Sequence, residues 1–477
     1  MKSTALLLLL AASAFAQSIS IVSGPVDYQV YQRGTDGKAE IPLELKVEGD
    51  EGKDVFLSIK RGVVPVPGFV ALNLGKAVNG VLKTTVRNVP TGGPYRLEFR
   101  LRRVGAAIHA RSNVLVGDIW LLAGQSNMEG VGNLENVEQP SDRVNSYNQA
   151  DAWVPAKEPL HELVSATDRV HWRKNAAGVA ERLEGEALEA YRANRKKGAG
   201  LGLAFAIEYE KRTGVPVGLL PCAHGGTSMA QWSPELKDKG GDSLYGATLR
   251  RAQLVGGKVA GILWYQGESD ASAQAAPIFQ QKFEELVKAF RQDLNAPELP
   301  FYYAQIGRHV SAAPGAPWNQ VQEGQRLAET MLPRSAMFAT IDTDLDDGIH
   351  VSTPELKRLG RVMAGYAAGK IKKGPTLVSL ALEGQTVRVK YRDVNGKLVA
   401  PGRVLGFYAV NGAGEVVPLI YKVTFDPNEP ASVLLHFQGK APEGLKIGYG
   451  YGRDPIANLR DEMGAAAPVF LPQAVNP

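Results

Sequence analysis

The sequence predicts an α/β protein in which a parallel sheet with helices on both faces lies between two β-rich regions. Three observations carry this. Residues 117–373 alternate strand-like and helix-like segments, residues 17–116 and 374–477 carry short period-two segments, and Gly, Pro, Asp and Asn punctuate both flanks.

Residues 1–16 come first. Lys2 precedes the apolar "ALLLLLAASAF", and "AFA" before Gln17 has the small-x-small form of a cleavage site, so these residues are expected to be a secretory signal and the protein exported, secreted or periplasmic. Gln17 rather than a cysteine stands immediately after the cleavage point, which argues against a lipid anchor. Cys222 is the sole cysteine, so no intrachain disulfide can form and stability must come from cores. No later run approaches the roughly 20 apolar residues of a membrane helix, and no membrane association is expected.

Residues 17–116 hold "IPLELKVEG", "KDVFLSIKRG", "VLKTTVRNV" and "YRLEFRLRRV", which predict a β-sandwich-like domain. In residues 117–373, "DIWLLAG", "VPVGLLP", "KVAGILWYQ", "LPFYYAQIG" and "RSAMFATID" read as strands. Interleaved helices are "GLGLAFAIEYEKRTG" closed by Gly214, "IFQQKFEELVKAFRQDL", "NQVQEGQRLAETML" and "TPELKRLGRVMAGYAAGKI" with Thr353 as N-cap. Residues 129–200 are a long excursion with polar loops and a charged helix, placed to overhang the site as a wall or lid. In residues 374–477 the alternation returns in "LVSLALEGQTVRVKYRD", "RVLGFYAV", "VPLIYKVTF", "SVLLHFQG" and "LKIGYGYG", a second β domain.

The formal charge of +5 drops to +4 once Lys2 leaves with the signal. The densest basic stretch, Arg195 to Lys197, follows Glu184, Glu186 and Glu189 in what reads as one helix ending at Gly198, the order that suits a helix dipole. A nucleic-acid-binding surface is therefore not expected. "DTDLDDG" spaces Asp342, Asp344 and Asp346 like a calcium loop, but Asp347 stands where that loop needs glycine, so no metal is expected.

Ligands of an open parallel sheet sit beyond the carboxyl ends of its strands. Four polar, glycine-containing turns fall there. In "GDIWLLAGQSNMEG", Ser126 follows a strand that stops at Gly124; it reads as a nucleophile backed by helix N–H groups or as the cap of that helix. "DDGIHVSTPE" puts Asp347 three residues before His350, enough for a base and the carboxylate that orients it, or for a solvated acidic turn. "CAHGGTSMAQW" offers Gly225 and Gly226 as backbone donors, and "WYQGESD" offers Gln266 as an amide donor and Glu268 as a carboxylate; either is otherwise ordinary turn chemistry. Trp153, Trp172, Trp232 and Trp264 could stack on sugars or fill the core.

The set "GQSNM", "GGTSMAQW", "WYQGESD" and "DGIH", in that order, resembles the sialate O-acetylesterase-type (SASA) carbohydrate esterases of the SGNH hydrolase superfamily, as does the closing "YGYGRDPIANLRDEMGAAAPVF". The resemblance implies a flavodoxin-like, three-layer core; the flanking β domains fit multidomain members. It implies Ser126 as nucleophile, His350 as general base and Asp347 as its orienting acid. The oxyanion hole would use the Ser126 N–H, one N–H of the Gly225–Gly226 pair and the Gln266 side chain, with Glu268 bracing its turn. No cofactor is implied. His224 stands where many relatives have Trp, and Gln322 where an arginine is common. Position 128 is Met rather than the Gly of an α/β-hydrolase elbow, and position 129 is Glu rather than the Lys of penicillin-binding enzymes.

The expected activity is removal of acetyl groups from an acetylated carbohydrate through an acyl-enzyme. Acetylated xylan or xyloglucan is the alternative substrate to sialic acid. A carbohydrate-binding protein with an inactive core is the alternative outside enzymes.

Overall fold

A computed structural model describes residues 17–49, 52–174 and 177–476; the expected signal, residues 1–16, lies outside the described residues. The chain forms two compact units, one of the residues up to Gln29 with Arg33–Val116, the other of Val30–Gln32 with Gly117–Pro477.

The first unit is antiparallel β. Ser18–Ser23, Lys38–Glu48 and Val81–Pro90 form one sheet, and Asp54–Arg61 pairs with both Leu72–Lys76 and Gly92–Arg100. The period-two reading holds along Lys38–Glu48, where Ile41, Leu43, Leu45 and Val47 are buried and alternate with outward Glu and Lys.

The second unit is built on a sheet whose strands are the part of β1 (His109–Gly124) that follows Val116, β2 (Val144–Tyr147), β3 (Trp153–Pro155), β4 (Val217–Pro221), β5 (Gly261–Tyr265), β6 (Phe301–Gln305) and β7 (Ser335–Ala339). Their order is β3-β2-β4-β1-β5-β6-β7, parallel except for the antiparallel edge strand β3. Its helices are α1 (Ser126–Glu129), α2 (Gly185–Asn194), α3 (Gly202–Thr213), α4 (Leu244–Leu254), α5 (Phe279–Asp293), α6 (Ala316–Met331) and α7 (Thr353–Ala367).

Aromatic alternation along β6 shows which helices share a side. Phe301 and Tyr303 meet Phe283 of α5, whereas Tyr302 between them meets Tyr366 of α7. Side chains alternate across a strand, so α5 and α7 cover opposite faces. Tyr245 of α4 packs at a tilt on Phe290 of α5, and α6 packs on α5; α3 packs on α7, with Phe205 and Tyr209 against Trp120.

Gly124 ends β1 at φ 128°, and a Cβ there would lie 2.2 Å from the Tyr265 carbonyl oxygen of β5. Only glycine lets the two strand ends approach so closely before the chain turns to Ser126. Gly124→Ala is expected to lower stability by about 3 kcal/mol or more, from backbone strain and forced strand separation, as read by chemical denaturation.

Beyond α7, two four-stranded antiparallel sheets follow: Thr376–Glu383, Thr386–Arg392, Ser432–Phe437 and Ile420–Phe425, then Val416–Val417, Phe407–Val410, Lys446–Tyr449 and Phe470–Ala474. Both contribute to one buried cluster, with Val389 and Leu435 from the first and Ile447 and Phe470 from the second. The tail reaches the parallel sheet: Gln305 Nε2 donates to the Val469 carbonyl, and Asn319 Nδ2 donates to those of Gly450 and Gly452.

Three local expectations are corrected. Thr353 is the first residue of α7 rather than its cap; Ser352 occupies the cap position without a side-chain capping bond, and Thr353 Oγ1 donates to the Asn133 carbonyl at 2.6 Å. The helix expected to end at Gly198 ends at Asn194, and Lys197–Ala199 is a short strand paired with Gly132–Asn133. The excursion is not only loops and helix, because it carries β2 and β3, which widen the sheet.

Candidate active site

Ser126 stands just beyond β1, Gly225 and Gly226 beyond β4 on one side of it, and Glu268 beyond β5 on the other. Because β1 has neighbours reached by connections running in opposite directions, a crevice opens at its end. The crevice holds a cavity of about 490 Å³, lined among others by Ser126, Glu129, Gly225, Gly226, Glu268, His309, His350 and Arg453.

Ser126 is the first residue of α1, and its hydroxyl makes no capping bond; Gln125 occupies the cap position. The capping alternative is thereby removed. The helix itself is a single turn, ended by Gly130 at φ 95°, so helix-dipole support at Ser126 is slight. Asn127, the next residue, is buried and ties two turns together: its Oδ1 accepts from Val351 N–H at 3.0 Å and its Nδ2 donates to Glu268 Oε1 at 2.8 Å.

The histidine loop is fixed by its own backbone. Asp346 N–H donates to the His350 carbonyl and Ser352 N–H to that of Asp344, closing a tight turn around residues 347–349. Inside it, Asp347 Oδ1 accepts the N–H of Ile349 and of His350 at 3.0 and 2.9 Å, and His350 Nδ1 lies 2.9 and 2.8 Å from the two carboxylate oxygens. Asp347 Oδ2 also accepts from Lys197 Nζ at 2.6 Å. Partial burial opposes the charge on Asp347, but Lys197, His350 and the two backbone N–H groups outweigh it and hold the carboxyl well below the usual carboxylate range. With Nδ1 directed to Asp347, Nε2 of His350 is left as the acceptor nitrogen. Among the described residues no hydrogen bond joins His350 to Ser126; catalytic hydrogen bonds commonly tighten only once substrate is bound.

Two of the remaining acids of the "DTDLDDG" run, Asp342 and Asp346, hold structure. Asp342, whose side chain is buried, pairs with Arg358 at 2.8 Å and lies 3.3 Å from Arg460, while Asp346 Oδ2 accepts from the N–H of Asn133 and Thr353.

The oxyanion donors expected from the sequence divide. Gly225 sits against Ser126, where a Cβ would be 3.4 Å from that of the serine, but its N–H donates to Glu129 Oε2 at 2.7 Å. Burial raises the Glu129 carboxyl above its ordinary value, opposed by that N–H and by Arg195 and Arg173. Gly226 N–H has no partner among the described residues. Gln266 does not reach the cavity: it is fully buried, and its Nε2 donates to the Thr227 carbonyl at 3.0 Å and to Asp270 Oδ2 at 2.5 Å. Both amide hydrogens are thus engaged in holding the turn after β4 against the turn after β5.

Glu268 closes the cavity floor. Its Oε2 is buried and has no hydrogen-bond partner among the described residues, and burial pushes the carboxyl up to about 7 despite the Asn127 bond. A carboxyl whose folded pKa is raised binds its proton more tightly folded than unfolded, so it costs stability as pH rises. Glu268→Gln, which keeps the oxygen facing Asn127, is expected to flatten the loss of stability between about pH 4.5 and 7. Denaturant midpoints measured across that range check it.

His224 pairs with a residue of the excursion: its Nδ1 lies 3.1 Å from that of His171, with the rings stacked. Burial lowers the pKa of both, as suits two neutral rings sharing one proton. Gln322 is fully buried and donates to the carbonyls of Ile306 and Gly307 at the end of β6. Trp153, Trp232 and Trp264 are buried core residues, and Trp172 Nε1 donates to the Ala166 carbonyl. The tryptophan at the cavity is Trp318, which no sequence motif singles out; Arg453 stacks on it at 5.1 Å and contacts His309 Nδ1 at 3.1 Å.

The comparisons with known proteins agree on the class, an esterase of carbohydrates. The family model described as "Carbohydrate esterase, sialic acid-specific acetylesterase" matches residues 116–368, just over half of the chain, and the chain belongs to that family. An Arabidopsis thaliana protein named as a probable carbohydrate esterase is 28% identical over 226 residues, covering 45% of this chain and 76% of that one. Human sialate O-acetylesterase is 22% identical over 331 residues, 62% of this chain and 60% of the human protein, so the chain spans less than two thirds of that enzyme. In fold it is similar to the crystal structure of a carbohydrate acetylesterase from Xanthomonas citri, with TM-score 0.62 and 20% identity over 93% of this chain and 97% of that one.

Proposed function

We propose that the protein is an exported carbohydrate O-acetylesterase of the SGNH type that works through an acyl-enzyme on Ser126. The observation that carries the reading is one cavity lined by both Ser126 and His350, with the His350 ring held on Asp347 at 2.8 Å. His350 Nε2 takes the serine proton as Oγ attacks the acetyl carbonyl; Asp347 holds the tautomer and stabilises the imidazolium. The N–H groups of Ser126 and Gly226 face the developing oxyanion, and Gln266 braces the wall behind them. His350 then returns the proton to the departing sugar oxygen, and water releases acetate by the same route reversed.

No cofactor enters this scheme, and export rests on the leader-like residues 1–16. Among the described residues no helix is long and apolar enough to cross a membrane. The test is acetate release from O-acetylated sialic acid, acetylxylan and acetylated xyloglucan side by side, with Ser126→Ala as the blank. Release from at least one sugar ester by the parent alone supports the reading. Sugar binding without acetate release from any of them points to the carbohydrate-binding alternative.

A further inference from the structure

We infer that Lys197, carried by the excursion of residues 129–200, is a positioning residue of the esterase reaction that grips Asp347 and shares its carboxylate with His350. The inference rests on the Ser126, His350 and Asp347 assignment proposed above. Lys197 Nζ lies 2.6 Å from Asp347 Oδ2, the same oxygen that stands 2.8 Å from His350 Nδ1, while Oδ1 is occupied by two backbone N–H groups. Each carboxylate oxygen therefore has more than one donor, which fixes the carboxylate's orientation.

The fold delivers the ammonium and the carboxylate together. Lys197–Ala199 pairs with Gly132–Asn133; Asn133 N–H donates to Asp346 at 2.8 Å, and its carbonyl accepts from Thr353. The segment bearing Lys197 is thus fastened to the loop bearing Asp347. Both side chains are over a third exposed, so the pair adds little to stability. Its effect falls on the histidine.

An ammonium on the same carboxylate cancels part of the negative field that Asp347 directs at the imidazole, and removing it leaves the full carboxylate charge facing His350 Nδ1 at 2.8 Å. The other charges around the loop are arranged differently. Asp346 is bonded to backbone amides and Arg308 is paired with Asp454; His309 faces His350 from a segment whose Val310 N–H donates to the Gly348 carbonyl, with Arg453 beside it, and Glu129 and Glu268 also line the cavity. Among the described residues, Lys197 is the side-chain cation bonded to Asp347 apart from the imidazole itself.

The experiment is the pH dependence of kcat/KM on an aryl acetate. Lys197→Met is expected to move the acid limb upward by roughly half to one pH unit with KM unchanged on the plateau, and Lys197→Arg to keep the parental limb. Lys197→Gln, a second neutral variant, is expected to shift the limb likewise. A lysine that merely held structure would alter melting temperature or total activity and leave the limb in place. A folded neutral variant with an unmoved limb, or with raised KM and an unmoved limb, overturns the inference. Ser126→Ala run alongside separates the two levels: parental activity there defeats the assignment, whereas an inactive Ser126→Ala with an unmoved limb in the Lys197 variants defeats only the role of Lys197.

Discussion

Ser126→Ala is expected to cut acetate release by roughly 10⁴- to 10⁶-fold, the range seen when an acyl-enzyme nucleophile is deleted while the rest of the site still binds and polarises the ester. At 1.36 kcal/mol per decade this is about 5–8 kcal/mol of transition-state stabilisation. The fold should hardly notice. The serine hydroxyl neither caps α1 nor bonds His350, so its removal leaves no buried group unsatisfied, and stability should stay within about 0.5 kcal/mol of the parent. Measuring acetate release and the denaturation midpoint on the same preparation separates a chemical loss from a structural one. A variant that releases acetate at the parental rate would remove Ser126 from the reaction. A variant that is inactive but also markedly destabilised would show that the hydroxyl holds something the geometry does not record.

The strand and helix alternation was legible because each segment obeys one period and ends on glycine, proline or a cap; α3 stops at Gly214, φ 69°, where the sequence puts it. α4 was not read, although Ser243 caps it, because its buried face mixes Tyr, Gly, Thr and Arg and lacks a simple apolar stripe. β2, Val144–Tyr147, is wholly buried yet contains Asn and Ser, so it carries no apolar run. At the site, the position of Ser126 beyond a strand end and the contact of Asp347 with His350 were legible because each motif is local. Lys197 was not, because its partner lies 150 residues away and the run "RKK" reads equally well as a helix end. For Gln266 the sequence names an amide donor but not its direction; the carboxylate of Asp270, four residues on, and the Thr227 carbonyl claim both hydrogens. Local chemistry shows in a sequence, whereas long-range pairings of charge and amide show only once the chain is folded.

Asp347→Asn should cost almost as much as the serine, roughly 10³- to 10⁴-fold in kcat/KM, through a change of one proton's position. The asparagine oxygen can still accept from the backbone N–H groups of Ile349 and His350, but the amide hydrogens face His350 Nδ1 and Lys197, where the carboxylate had accepted. An imidazole next to an amide donor offers Nδ1 as acceptor and carries its proton on Nε2, the nitrogen that must receive the serine proton. The base is then present and blocked. Stability should follow a separate course with pH. The native carboxyl is held below its unfolded value near 3.9, so its contribution is present above that pH and fades as pH falls through the folded value. The parent should therefore exceed Asp347→Asn in stability at neutral pH, by a small margin because the side chain is partly exposed, and the margin should close below about pH 4. Activity across the same range should remain low in the variant at every pH, since no proton concentration restores an acceptor at Nε2 while an amide faces Nδ1. A variant that recovered parental rates at high pH would show that the carboxylate acts through its charge alone and not by choosing the tautomer.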